Sequence, residues 1–269
     1  MVKDNRFDGV DIDYEGKLST TKDYFSTFLE ELNDELGSRK TLVCSIEART
    51  PPASLYRIIP PTLAYANDYK AIGKECDKVL LMTYDQGRAD WQLNGAKSGT
   101  PYIPIADIDW VRKVAELAIQ EIPKNKILLG VATYGFEYEV TVSPNWFQSY
   151  RKLWSVSAPY AESVAKTLGI IPYRNKAGES SFSYAGALTP LAVANYTAPA
   201  GTPAGDIFAQ KALAYANATR QTVTFNLQWW SDAEAIEQKV DLAKELGLAG
   251  IAIFRVDGTE DPDIWNTLE

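Results

Sequence analysis

Apolar and acidic residues alternate through residues 7–14, FDGVDIDY, and a period of two predicts a strand with Val10, Ile12 and Tyr14 on one face. The spacing then changes. Tyr24, Phe25, Phe28, Leu29 and Leu32 recur at helical intervals, which predicts a helix over about 21–36 with Gly37 as its stop. The apolar run at 41–48 reads as a buried strand, followed after a Pro-rich loop by a helix over about 65–73 and a strand at 78–83. A long loop, 85–104, leads to a helix over about 107–122 that Pro123 ends. Residues 126–134, KILLGVATY, form the next predicted strand. Near the C-terminus, Asp232 is placed to cap a helix over 233–246, with Gly247 just past its end and a strand at 249–256.

Strands that alternate with helices of this length predict an α/β chain built from βαβ units around a parallel sheet. Near-continuous apolar runs in the strands predict that helices cover them. Residues 136–222 break the rhythm with Tyr, Trp, Ser, Pro and Ala, and read as an insertion. Within it the pattern predicts a helix near 161–168, a hairpin-like pair at 170–173 and 181–184, and a loop at 198–205. The division expected is 1–136 with 223–269 as one body and 137–222 as an insertion.

Composition narrows the chemistry. The 269 residues are 46% hydrophobic, 23% charged and 12% aromatic, with a formal net charge of −8. The net charge argues against nucleic acid, whose phosphates need clustered Lys and Arg, and no run approaches the roughly 18 apolar residues suited to a membrane span. An acidic, aromatic-rich surface suits a neutral polymer such as a carbohydrate. The sequence has no histidine, which removes Ser-His and Cys-His nucleophile systems and most zinc sites, so acid–base work falls to carboxylates, Tyr, Lys or Cys. Cys44 and Cys76 are the two cysteines and are expected to be buried free thiols. The N-terminal MVKDNRFDG carries no signal-peptide pattern.

Against that background the acidic strand stands out. Alternation puts Asp11, Asp13 and Glu15 on one face, with i and i+2 about 6.6 Å apart. Carboxylates this close raise one another's pKa, which keeps one protonated near neutral pH, as a general acid for glycosidic cleavage must be. A solvated acidic edge strand and a divalent-cation site remain alternatives, although the segment lacks the calcium-loop pattern. No metal and no cofactor is expected.

The segment DGVDIDYE resembles the signature of glycoside hydrolase family 18, the chitinase family, written D-G-x-D-x-D-x-E. LLMTYD at 80–85 resembles that family's sixth barrel strand, KILLGVATYG at 126–135 its seventh and GIAIFRVDG at 250–258 its eighth. AESVAKTLGI, SFSYA and WWSDAEAIEQKV are similar to the bacterial spore-germination and cell-wall branch. The resemblance implies a (β/α)8 TIM barrel hydrolysing β-1,4-linked N-acetylglucosamine polymers, chitin or peptidoglycan glycan, with retention and with the substrate's acetamido group as nucleophile. Carried over, Glu15 would protonate the leaving oxygen, Asp13 would hold the acetamido group, and Asp11 would tune Asp13. Tyr84 would bond the acetamido carbonyl. Asp85 would contact sugar hydroxyls, Met82 would pack beneath the reacting sugar, and Tyr134 would contact substrate. A polymer substrate and the family imply an extracellular or cell-wall address for the full-length protein.

Two departures accompany the resemblance. Phe254 stands where the eighth strand usually ends on Trp, which keeps stacking but loses area and an N–H donor. Strands like the fourth to the eighth are present, whereas six residues precede Phe7, so the barrel is expected to be incomplete, strands one to three missing, and the fragment's activity impaired. Glu47 and Arg49, at the end of the strand at 41–48, are read either as polymer contacts or as a structural ion pair. The alternative function is a non-catalytic carbohydrate-binding relative. Such relatives typically lack the last Glu of the signature, so Glu15 favours the enzyme.

Overall fold

The computed structural model describes residue 2 and residues 4–267. The chain runs β1 (Gly9–Asp13), α1 (Lys22–Leu36), β2 (Thr41–Glu47), α2 (Pro52–Leu55), α3 (Tyr69–Glu75) and β3 (Lys78–Met82). It continues with α4 (Trp91–Ala96), α5 (Ile108–Ala118), β4 (Ile127–Ala132), β5 (Tyr134–Ser143), β6 (Trp146–Ser157) and α6 (Ala158–Leu168). Last come β7 (Tyr173–Arg174), β8 (Ser180–Tyr184), α7 (Ile207–Thr219), β9 (Val223–Trp230), α8 (Ala233–Leu246) and β10 (Gly250–Phe254). These elements form two compact units.

The first unit comprises Met1–Tyr84, Asp109–Val131 and Lys239–Ile253. Its sheet has the order β1-β2-β3-β4-β10, and the pairs β1–β2, β2–β3 and β3–β4 are parallel. The register aligns Ile12 with Cys44, Cys44 with Val79, and Leu81 with Leu129. Paired residues of parallel strands share a face, and this one is sealed: Ile12, Cys44, Ile46, Val79, Leu81, Ile127 and Leu129 are all buried. Helix α1 packs on β2 and α3 through one stripe, burying Phe25 and Leu29. It ends, as predicted, at Gly37, whose φ of +69° suits glycine. Asp68 caps α3 by accepting from Lys70 and Ala71 N–H.

The opposite face differs from the expectation of full coverage. Asp11 and Asp13 are exposed there, and Val43, Lys78, Leu80 and Met82 are half-buried. The apolar strands thus have one face in the core and one only partly shielded. The cysteines also depart from expectation. Cys44 and Cys76 form a disulfide with Cα atoms 6.1 Å apart, linking β2 to the residue after α3 across a sequence separation of 32. Alternation directs Cys44 to the helix side of the sheet, where α3 delivers Cys76; no signal local to either cysteine shows this meeting.

The second unit comprises Asp85–Ile108, Ala132–Gln238 and Phe254–Glu269. Its sheet is antiparallel in the order β6-β5-β9-β8-β7. It takes in more than the 137–222 interval, because β9 pairs with β5 and β8 here. Strands β5 and β6 turn over Pro144-Asn145; Asn145 has φ +73°, and Pro followed by a left-handed Asn suits a tight turn. Val156, Phe182 and Trp230 pack against Ala158, Ala161 and Ala165 of α6, and α7 lies on β5 and β9. The loop expected at 85–104 contains α4 and is tethered by the buried Glu179, which accepts from Ile105 and Ala106 N–H at 2.9 Å and from Trp229 Nε1 at 2.6 Å. Among the described residues, no helix is long and apolar enough to cross a membrane.

Candidate active site

In the first unit, β1 carries the acidic motif to the C-terminal end of the parallel sheet. Asp11 and Asp13 belong to the strand and Glu15 follows two residues after its end; all three are exposed. Ile12, between them in sequence, is buried on the other face, so the period-two alternation holds. The Asp11 carboxylate is held from β2. Ser45 Oγ donates to Asp11 Oδ2 at 2.8 Å, and Ser45 is the register partner of Asp13.

At the end of β2, Glu47 gathers the next contacts. Its Oε1 accepts the Gly16 N–H at 2.8 Å and its Oε2 accepts from Asn67 Nδ2 at 2.8 Å, with Lys17 Nζ 3.8 Å away. Partial burial pushes this carboxyl up, but its backbone and Asn67 hydrogen bonds, the Gly16 N–H and Lys17 outweigh burial and hold it below the ordinary value. Arg49 is not its ion-pair partner. The guanidinium donates to the Asn67 carbonyl and lies over Tyr65 and Tyr69, 3.8 and 3.9 Å from the ring centroids. Burial pushes the Tyr69 hydroxyl up to about 12 even with Arg49 beside it.

Met82 ends β3, paired with Glu47, and Tyr84 follows two residues on. The Tyr84 ring explains a glycine on β4. A Cβ added to Gly130 would lie 2.6 Å from the Leu81 carbonyl oxygen and 2.8 Å from Tyr84 Cε1, so only glycine admits the ring there. Thr83 Oγ1 donates to the Gly130 carbonyl at 2.7 Å and ties the two strands.

The remaining predicted residues lie in the second unit, around a cleft of about 670 Å³. Asp85, at φ +53°, accepts a 2.9 Å hydrogen bond from the Tyr134 hydroxyl. Tyr134 meets Phe254 edge-on, with centroids 6.2 Å apart and planes at 85°. Phe254 is 49% exposed, an aromatic face open to the cleft. Thr133 holds the backbone beneath it: its N–H donates to the Phe254 carbonyl, and its hydroxyl exchanges hydrogen bonds with the Arg255 N–H and carbonyl.

The structure thus groups Asp11, Asp13, Glu15, Glu47, Arg49, Met82 and Tyr84 in one unit and Asp85, Tyr134 and Phe254 in the other. Sequence reasoning passed over Ser45, Asn67, Gly130 and Thr133, which position these groups. It also passed over Lys152, Trp154 and Tyr160, which line the cleft. Only the position of Ser45, four residues after Thr41 in a predicted strand, left a usable signal. The others depend on tertiary contacts. Among the described residues, no group of three or more His, Cys, Asp or Glu side chains could hold a metal ion.

Comparison with known proteins shows the family and the fold. The sequence model described as Glycosyl hydrolases family 18 matches residues 1–258. A cortical fragment-lytic enzyme of Bacillus subtilis is 28% identical over 96% of this chain and 48% of its own. The Bacillus cereus spore cortex-lytic enzyme SleL superposes with a TM-score of 0.68 at 23% identity, over 99% of this chain and 49% of that one. A chitinase from Chromobacterium violaceum gives 0.69 at 19% identity, over 99% and 67%. Both structural likenesses speak to the fold. The chain spans about half the length of the cortical fragment-lytic enzymes it matches.

Proposed function

The chain belongs to glycoside hydrolase family 18, and on that premise we propose that it serves a retaining glycosidase acting on β-1,4-linked N-acetylglucosamine polymers, chitin or peptidoglycan glycan. One observation carries the proposal. Asp11 and Asp13 lie on the half-open face of a parallel strand, and Glu15 follows at its C-terminal end, the end where barrel enzymes keep their chemistry. In this reading the five strands β1, β2, β3, β4 and β10 correspond to barrel strands four to eight.

Glu15 protonates the glycosidic oxygen as the bond breaks. The substrate's acetamido oxygen attacks the anomeric carbon, and Asp13 stabilises the charge that develops on the acetamido nitrogen. Water then opens the cyclic intermediate, with Glu15 taking back a proton, so two inversions give net retention. Asp11, held by Ser45, sets the environment of Asp13, and Tyr84 donates to the acetamido oxygen. Met82 contacts sugar in the first unit, and Asp85, Tyr134 and Phe254 contact sugar in the cleft of the second. The Cys44–Cys76 disulfide fits action outside the cytoplasm, where such bonds persist, at the cell wall or beyond it.

Glu15→Gln tests the assignment. Release of reducing ends from N-acetylglucosamine oligosaccharides or from peptidoglycan is expected to fall roughly 10²–10⁴-fold, the worth of a positioned general acid. A variant that keeps its rate contradicts the role of Glu15.

A further inference from the structure

The cleft of the second unit holds a lysine with no ion-pair partner among the described residues. Four charged side chains line it: Asp85, Lys152, Arg255 and Asp257. Asp85 accepts the Tyr134 hydroxyl, and Arg255 Nε pairs with Asp257 at 2.7 Å. Arg151, the neighbour of Lys152 on β6, pairs with Glu139. Lys152 has no carboxylate partner among the described residues. Its ammonium instead sits 4.0 Å over the centroid of the Phe136 ring, and Phe136 is one ring away from Tyr134, 5.5 Å between centroids. The attraction between a cation and an aromatic face holds the ammonium at the wall of the cleft. An ammonium without an ion-pair partner offers an anion in the cleft a charge-assisted hydrogen bond.

The surroundings suit a sugar. Trp154 and Tyr160, exposed by 51% and 49%, flank the same cleft, with Phe254 open at 49%. Large half-exposed aromatic side chains offer flat apolar faces for pyranose rings.

We propose that Lys152 is a specificity-determining residue that recognises a carboxylate carried by a sugar held in this cleft. The preferred substrate is then a glycan with free carboxylates on alternate sugars, as in peptidoglycan strands freed of their peptides, rather than a uniformly neutral chain such as chitin. This rests on the reading above that Tyr134 and Phe254 contact sugar. The lysine distinguishes the two polymers because a neutral chain offers its ammonium only hydroxyls, whereas a carboxylate gives a charge-assisted hydrogen bond.

Calorimetric titration of the protein with two probes tests this. One is the neutral N-acetylglucosamine tetrasaccharide; the other is a peptide-free tetrasaccharide alternating N-acetylglucosamine with N-acetylmuramic acid, whose lactyl carboxylate is ionised. The acidic probe is expected to bind roughly tenfold more tightly, with the preference shrinking at high salt. Lys152→Met keeps the stem over Phe136 and is expected to abolish the preference while leaving neutral-probe affinity within about twofold. Lys152→Arg is expected to retain it. Equal affinity for both probes in the wild type, or an equal loss for both in Lys152→Met, overturns the role of Lys152 while the sugar site stands. Binding of neither probe overturns the sugar-site reading and the Lys152 role together.

Discussion

Glu47 Oε1 and the backbone N–H of Gly16 meet at 2.8 Å, so a side chain at the end of β2 fixes the residue that immediately follows Glu15. The bond makes Glu47 a positioning group for the proposed acid. Glu47→Ala is expected to lower kcat about 10- to 100-fold, the scale of a small displacement of a reacting group, with KM nearly unchanged. Glu47→Gln, which keeps an acceptor for Gly16, is expected to recover much of the loss. A rise in KM at constant kcat would instead make Glu47 a sugar contact.

The same carboxyl predicts a pH effect on stability. Its pKa is lowered on folding, so its contribution is present above its unfolded value, near 4.5, and is lost as the pH falls through the lower folded value. Thermal melts at decreasing pH are expected to show wild type losing stability faster than Glu47→Gln in the acid range below 4.5. Parallel curves would contradict it.

Asp206 predicts the opposite sign. Burial pushes its carboxyl up to about 6, against hydrogen bonds from Gln210 and Tyr173 and the charge of Lys176. A raised folded pKa gives a contribution that is present below the unfolded value, 3.8, and is lost as the pH rises through about 6. Asp206→Asn is therefore expected to gain on wild type between pH 4 and 7, by about 1–3 kcal/mol. Denaturant melts across that range measure it, and a pH-independent difference would refute it.

Removal of the Cys44–Cys76 bond is expected to cost about 3–4 kcal/mol from the loop it closes. A comparison of denaturation midpoints with and without reductant checks this. Unchanged midpoints would mean that the bond does not constrain the unfolded chain.

These contacts separate what was legible in the sequence from what was not. The bounds of α8 and its cap were readable because Asp232 and the apolar spacing are local; Asp232 Oδ1 does accept the Ala235 N–H. The acidic face of β1 was readable because strand alternation is a local rule. Strands β5, β6 and β9 and helix α7 were not. β5 begins two residues after β4 ends, so one apolar run hides two strands, and β6 exposes most of its side chains. Helix α7 is alanine-rich, with little contrast between its faces. The disulfide, the Glu47 bonds and the Lys152–Phe136 contact join residues that only the folded chain brings together.

The central claim is that the substrate's own acetamido group is the nucleophile, with Glu15 as acid and Asp13 as stabiliser. Proton NMR of the first product during early turnover of a β-linked N-acetylglucosamine oligosaccharide tests it most directly. Two successive inversions predict the β anomer first, with the α anomer growing in only by mutarotation. Release of the α anomer first would require direct attack by water and would contradict the mechanism.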